Sequence, residues 1–170
     1  MLEDVQNIPD GLELIDQGEL GVDKRCELLD EIGMLQGMAY ADLKVLAVHM
    51  SAFKAPPGIC LFREGDKSNW MCFLVKGSLV VHKEDAQGNA RELTTIRSGK
   101  TVGEMSLLDN FPHSATVTTQ TEALVLLFSR AGLERLHTEH PRVAFELLMK
   151  IAQLLSFRLR HASGRLVDTI

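Results

Sequence analysis

The chain has 170 residues and a formal net charge of -5, from 18 Lys and Arg against 23 Asp and Glu. Hydrophobic residues make up 45% and charged residues 24%, a balance that suits one globular domain with a full core. The acidic pI near 5.7 excludes a protein that holds nucleic acid through overall basic charge, no apolar run approaches the roughly 18 residues of a membrane span, and the acidic opening Met1-Leu2-Glu3-Asp4 is unlike a secretory signal.

Residues 1–21 are rich in acid and glycine and read as a loosely ordered lead-in. From Asp23 to about Ala52 the apolar spacing is helical: Leu28, Leu29, Ile32, Met34 and Leu35 form one set, Leu43, Leu46 and Val48 a second, with Gly37 as the break. From Phe53 to Phe128 the pattern changes to short β-like runs closed by turn residues. Ile59–Phe62, Met71–Val75, Ser78–Lys83, Arg91–Ile96, Ala115–Thr119 and Ala123–Phe128 read as strands. Between them lie Pro56-Pro57-Gly58, Arg63-Glu64-Gly65-Asp66, Lys76-Gly77, a hairpin loop at Asp85–Asn89, and Ser98-Gly99. Short strands at this spacing predict an antiparallel β-roll, a jelly-roll-like double-stranded β-helix. Helical spacing then returns. Ser129 suits an N-cap for Ala131–Glu139, and Pro141 suits the first turn of a long helix to about Ser163. The fold class is thus mainly β with flanking helices, in three stretches of one domain: 1–52, 53–128 and 129–170.

The odd, widely spaced Cys26, Cys60 and Cys72 fit neither a disulfide framework nor a zinc ribbon, and read as buried thiols of a reducing, cytoplasmic protein. Trp70 and Phe73 read as roll packing, and Arg158, Arg160 and Arg165 as a solvated helix face. No metal site is expected. A cupin-type centre needs clustered histidines, whereas the strands offer only His82, and no nucleophilic motif is present, so the chain reads as a non-enzyme without a cofactor.

The stretch richest in chemistry is Gly103-Glu104-Met105-Ser106-Leu107-Leu108-Asp109-Asn110-Phe111-Pro112-His113-Ser114-Ala115-Thr116. A glycine ahead of a short helix, Glu104–Leu108, lets main-chain N–H groups approach an anion. Glu104 at the helix start suits the dipole and can accept hydrogen bonds from ribose hydroxyls. Ser114 adds a hydroxyl. The segment resembles the phosphate-binding cassette of cyclic nucleotide-binding domains, in which Gly-Glu is followed by small and apolar residues and then Pro-Arg-Ser/Ala-Ala-Thr. Pro57-Gly58, Leu61–Asp66 and Phe73–Gly77 look like that family's first strands and turns. Leu154–Arg160 is similar to the start of the dimer helix of catabolite-activator-type regulators.

The resemblance implies a regulatory sensor for cyclic AMP or cyclic GMP, with Gly103, Glu104, Met105, Ser106, His113, Ser114 and Ala115 as ligand-binding residues. In this reading the helices after Ser129 move to cover the ligand, and the apolar surface of the last helix, widened by Phe145, Leu148, Phe157 and Leu159, suits the same helix of a second chain in a homodimer. The seven or so residues after the last helix are too few for a helix-turn-helix reader of DNA, so a stand-alone module is expected, signalling through an unidentified protein partner without direct DNA or membrane binding. One departure matters: His113 stands where the family has its phosphate-binding arginine. Losing a permanently charged fork weakens phosphate binding by about 1.5–3 kcal/mol, roughly 10- to 150-fold. The alternative expectation is therefore a binding-null relative that serves as a dimerisation or interaction scaffold.

Overall fold

The computed structural model describes Val5, residues 8–109 and residues 111–167, with side chains described to Ser163. Among the described residues, nine strands and five helices follow in chain order: β1 (Glu13–Leu14), α1 (Val22–Asp30), a 3-10 turn (Gly33–Leu35), α2 (Tyr40–Val48), β2 (Met50–Ala55), β3 (Cys60–Phe62), β4 (Trp70–Lys76), β5 (Ser78–Glu84), β6 (Ala90–Arg97), β7 (Lys100–Val102), α3 (Glu104–Asp109), β8 (Thr116–Thr119), β9 (Ala123–Ser129), α4 (Arg130–Glu139) and α5 (Pro141–Val167). Two antiparallel sheets form the roll, one in the order β1-β2-β9-β4-β7 and the other β3-β8-β5-β6.

The near-continuous apolar runs of β4 and β9 have a simple cause: both strands are buried on both faces. Alternate residues Trp70, Cys72, Leu74, Val125 and Leu127 point into the roll, where Phe53, Leu61, Phe62, Leu79, Val102 and Val117 meet them. Their neighbours Met71, Phe73, Val75, Leu126 and Phe128 point outward into a second core, closed by Leu29, Ile32, Leu43, Leu46, Leu136, Leu147 and Ile151 of the helical layer. The roll and its helices therefore share one sheet as a common wall. No helix among the described residues is long and apolar enough to cross a membrane.

Several expectations need correcting. The helical pattern does not run on to Ala52: α2 ends at Val48, the His49 amide closes it on the Leu46 carbonyl, and Met50–Ala52 pair with Phe128–Leu126. The lead-in is not uniformly loose, because Glu13 and Leu14 pair with Lys54 and Phe53, and Ile15 is buried. Lys100–Val102 is a strand that three residues are too few to announce. Cys26 and Cys72 are buried thiols, but Cys60 is only half-buried, since it opens a three-residue strand at a sheet edge. Trp70 and Phe73 are fully buried packing residues. Ser129 does cap α4, its hydroxyl accepting from the Gly132 amide at 3.0 Å.

The tightest turn is Lys76-Gly77, where the chain passes from β4 to β5. Gly77 has φ 94°, and a Cβ there would strike the Glu122 carbonyl oxygen and lie 3.0 Å from the Ala123 Cα. Gly77→Ala is expected to destabilise the fold by about 1–3 kcal/mol, read as a lower denaturant midpoint at unchanged slope.

Candidate functional site

The β7–α3–β8 segment borders a cavity of about 650 Å³ that opens between the second sheet and α5. Its wall includes Gly103, Glu104, Met105, Ser106, His113, Ser114 and Ala115, together with Phe62, Val81, Thr94–Arg97, Lys100, Val102 and Arg158. All seven residues singled out from the sequence are thus brought together on one hollow. Asn110, within the cassette, lies outside the described residues.

Local geometry explains the shape. Gly103 has φ 84°, and a Cβ there would lie 2.8 Å from the Phe62 ring and 3.2 Å from the Trp70 carbonyl, so only glycine lets α3 start this close to the sheet. α3 then spans Glu104–Asp109. The far end of the cassette is fastened to the Arg63–Asp66 turn. The His113 amide donates to the Asp66 carbonyl at 2.8 Å, the Gly65 amide to the His113 carbonyl at 2.9 Å, and the Glu64 amide to Thr116 Oγ1 at 3.0 Å. Lys83 Nζ donates to the Ser114 carbonyl and to Glu64, both at 2.8 Å.

Glu104 is 2% exposed, and its carboxylate is already engaged. Thr101 Oγ1 donates to Oε1, and Arg158 donates from Nη1 to Oε2 at 3.0 Å and from Nη2 to the Thr101 carbonyl at 2.9 Å. The reading of Arg158 as a solvated face is therefore corrected: it reaches from α5 to the cassette, because a buried carboxylate needs a counter-charge. Arg160 is exposed, while the side chain of Arg165 lies outside the described residues. Arg130 forms a second tie that the sequence did not announce. From the start of α4 its Nη1 donates to the Leu107 and Leu108 carbonyls, at 3.5 and 3.4 Å, near the C-terminus of α3.

His113 is 8% exposed and points inward. Its Nε2 lies 2.8 Å from Ser68 Oγ, its Nδ1 lies 3.1 Å from Ser106 Oγ, and its ring packs on Phe62 with centroids 4.0 Å apart. Burial pushes its pKa below the ordinary histidine value, outweighing the opposing pull of Asp66. The imidazole is thus neutral near pH 7, held between two hydroxyls. Arg97 and Lys100 also line the cavity and have no carboxylate partner among the described residues. No group of residues there is arranged to hold a metal ion, among the described residues.

Two outcomes follow from these contacts. His113 and His49 both have pKa values lowered chiefly by burial, so the unfolded chain takes up protons more readily than the folded one as pH falls below the ordinary value near 6.5. Stability is full above that pH and declines beneath it. Unfolding free energies measured downward from neutral pH should fall, and His113→Gln should flatten part of the slope. Arg158→Ala should cost about 1.5–3 kcal/mol in unfolding free energy, because it leaves the Glu104 carboxylate short of its charged donor.

Residues 52–140 match the cyclic nucleotide-binding domain family. The CRP-like cAMP-activated global transcriptional regulator of Mycobacterium tuberculosis is 25% identical over 144 residues, which cover 85% of this chain and 62% of that protein. A cAMP-dependent protein kinase regulatory subunit of Aspergillus fumigatus is 29% identical over 108 residues, 64% of this chain and 25% of that one. The chain thus spans less than two thirds of the length of these relatives. Among solved structures, a cyclic nucleotide-binding domain from Methylobacillus flagellatus superposes with a TM-score of 0.81 at 22% identity, covering 94% of this chain and 90% of that one. The Thermus thermophilus catabolite activator protein gives 0.71 at 26% identity, over 80% and 62%. On the family match and on the cassette and β-roll described above, the chain belongs to the cyclic nucleotide-binding domain family.

Proposed function

We propose that the chain is a non-enzymatic regulatory module whose hollow receives a cyclic nucleotide, cyclic AMP or cyclic GMP, and whose C-terminal helices report its occupancy. The observation that carries this reading is the open cavity walled by Gly103, Glu104, Met105, Ser106, His113, Ser114 and Ala115, with its one buried carboxylate fixed by an arginine from α5. In this reading the ribose hydroxyls approach Glu104. The phosphate approaches the cassette main chain near Ser114 and Ala115, beside the His113 ring. Any ligand group that draws on Glu104 alters its contact with Arg158, and with it the seat of α5. Coupling of this kind works only if the ligand favours one position of α5 over another. That both regulators named above are cAMP-responsive by name supports cyclic AMP as the first ligand to test.

A second reading is favoured by one observation: both ring nitrogens of His113 are occupied by protein hydroxyls. A neutral, satisfied imidazole offers a phosphate little, and the domain then serves as a scaffold without a nucleotide. Calorimetric titration of cyclic AMP and cyclic GMP at about pH 6 and about pH 8 separates the two. The sensor reading expects binding in both, tighter at the lower pH, because a bound phosphate favours the protonated ring. His113→Arg is expected to strengthen binding roughly 10- to 150-fold. No heat at millimolar ligand with the native histidine, together with binding by His113→Arg, establishes the scaffold.

The module is further proposed to be a homodimer through α5. Phe145, Ala152 and Leu159 recur at seven-residue spacing, as do Leu148 and Leu155, and Phe145, Leu148, Met149 and Leu159 are exposed. That seam suits a second copy of the same helix, with an apolar residue at each a and d position. Leu148→Glu with Leu159→Glu is expected to convert a dimer into a monomer in sedimentation, with the roll still folded.

A further inference from the structure

We infer that a recess between α1 and the edge of β2 is a second ligand site, which takes the carboxylate of a small aliphatic acid. Arg25 of α1 is 2% exposed. Its Nη1 donates to the Met50 carbonyl, where β2 is paired with β9 on one side and β1 no longer covers the other. Its Nε and Nη2 are buried and have no hydrogen-bond partner among the described residues. These two nitrogens form one edge of the planar guanidinium and present parallel N–H groups, the fork that a carboxylate fills with both oxygens. Burial lowers the Arg25 pKa, as expected for a buried cation without a counter-charge.

The surroundings supply no such partner. Asp16 borders the same recess, but its Oδ1 accepts from the Gly18 amide at 2.7 Å, and it makes no ion pair with Arg25 among the described residues. Glu19 is paired with Lys54 at 2.7 Å and Asp23 with Lys44 at 2.5 Å. The recess measures about 450 Å³, and Leu14, Ile15, Leu20 and Met50 line it beside Arg25. Gln17 and Ser51 also line it, and its apolar part beside the unpartnered guanidinium edge fits a short hydrocarbon chain ending in a carboxylate. The recess shares no lining residue with the cassette cavity, so this site stands independently of the cyclic nucleotide reading.

The test uses the full chain at constant ionic strength, titrated with acetate, hexanoate and inorganic phosphate against a chloride control, with the Arg25 side-chain Nε–H resonance followed by NMR. The expected result is a saturable shift for both carboxylates, tighter for hexanoate, with phosphate far weaker. Arg25→Gln, which lacks that resonance and is followed through the backbone amides of Leu20 and Ser51, should weaken hexanoate at least about tenfold. Leu20→Trp keeps the guanidinium and narrows the apolar wall, so it should weaken hexanoate more than acetate. The site is overturned if the Nε–H resonance does not saturate, if phosphate matches hexanoate, or if both variants bind hexanoate as the native chain does.

Discussion

The site depends on a single buried carboxylate. Glu104 starts a six-residue helix too short to hold itself against the sheet, and its oxygens are satisfied only because Thr101 and Arg158 converge on them. A carboxylate at 2% exposure without such donors carries the full penalty of desolvation. Arg158, whose side chain is 43% exposed, keeps one face in solvent and so escapes most of that penalty. The arginine belongs to α5, so the cassette and the C-terminal helix are held in place by the same bond.

Arg130 repeats the arrangement at the other end of α3, where it meets the last carbonyls from the start of α4. The cassette helix is thus gripped at its N-terminus by α5 and near its C-terminus by α4, while Gly103 and the Arg63–Asp66 turn fix its two flanks to the roll. A displacement of α3 has few places to go except into those helices. Beneath them, the shared wall of β4 and β9 is packed on both faces and offers a rigid base. The layer above the sheet is therefore where the proposed coupling would act.

Much of the roll was legible because its signals are local. Turn residues closed each apolar run, Ser129 and Pro141 opened the last two helices, and the cassette was contiguous, so its residues stayed close together, although Leu107 turns into the helical core instead of the cavity. What escaped notice was set by distance along the chain. The 54 positions between Glu104 and Arg158 carry no periodicity that links them, and an arginine on a late helix looks solvated until the fold brings it to a buried acid. β2 was hidden because Met50–Ala52 continue an apolar run out of α2, and β7 because three residues are below the length at which alternation can be seen. His113 was legible as a substitution in a motif. Its neutral state depends on Ser68, 45 positions away, and on Phe62, neither of which the motif contains.

The most direct measurement is hydrogen–deuterium exchange of the whole chain with and without saturating cyclic AMP. If the cassette and the last helix are one coupled unit, ligand must change exchange in α3 and, in the same titration, in α5 around Arg158, with the sheet wall at β4 and β9 unaltered. Changes confined to the cassette, with α5 exchanging identically in both conditions, would contradict the coupling.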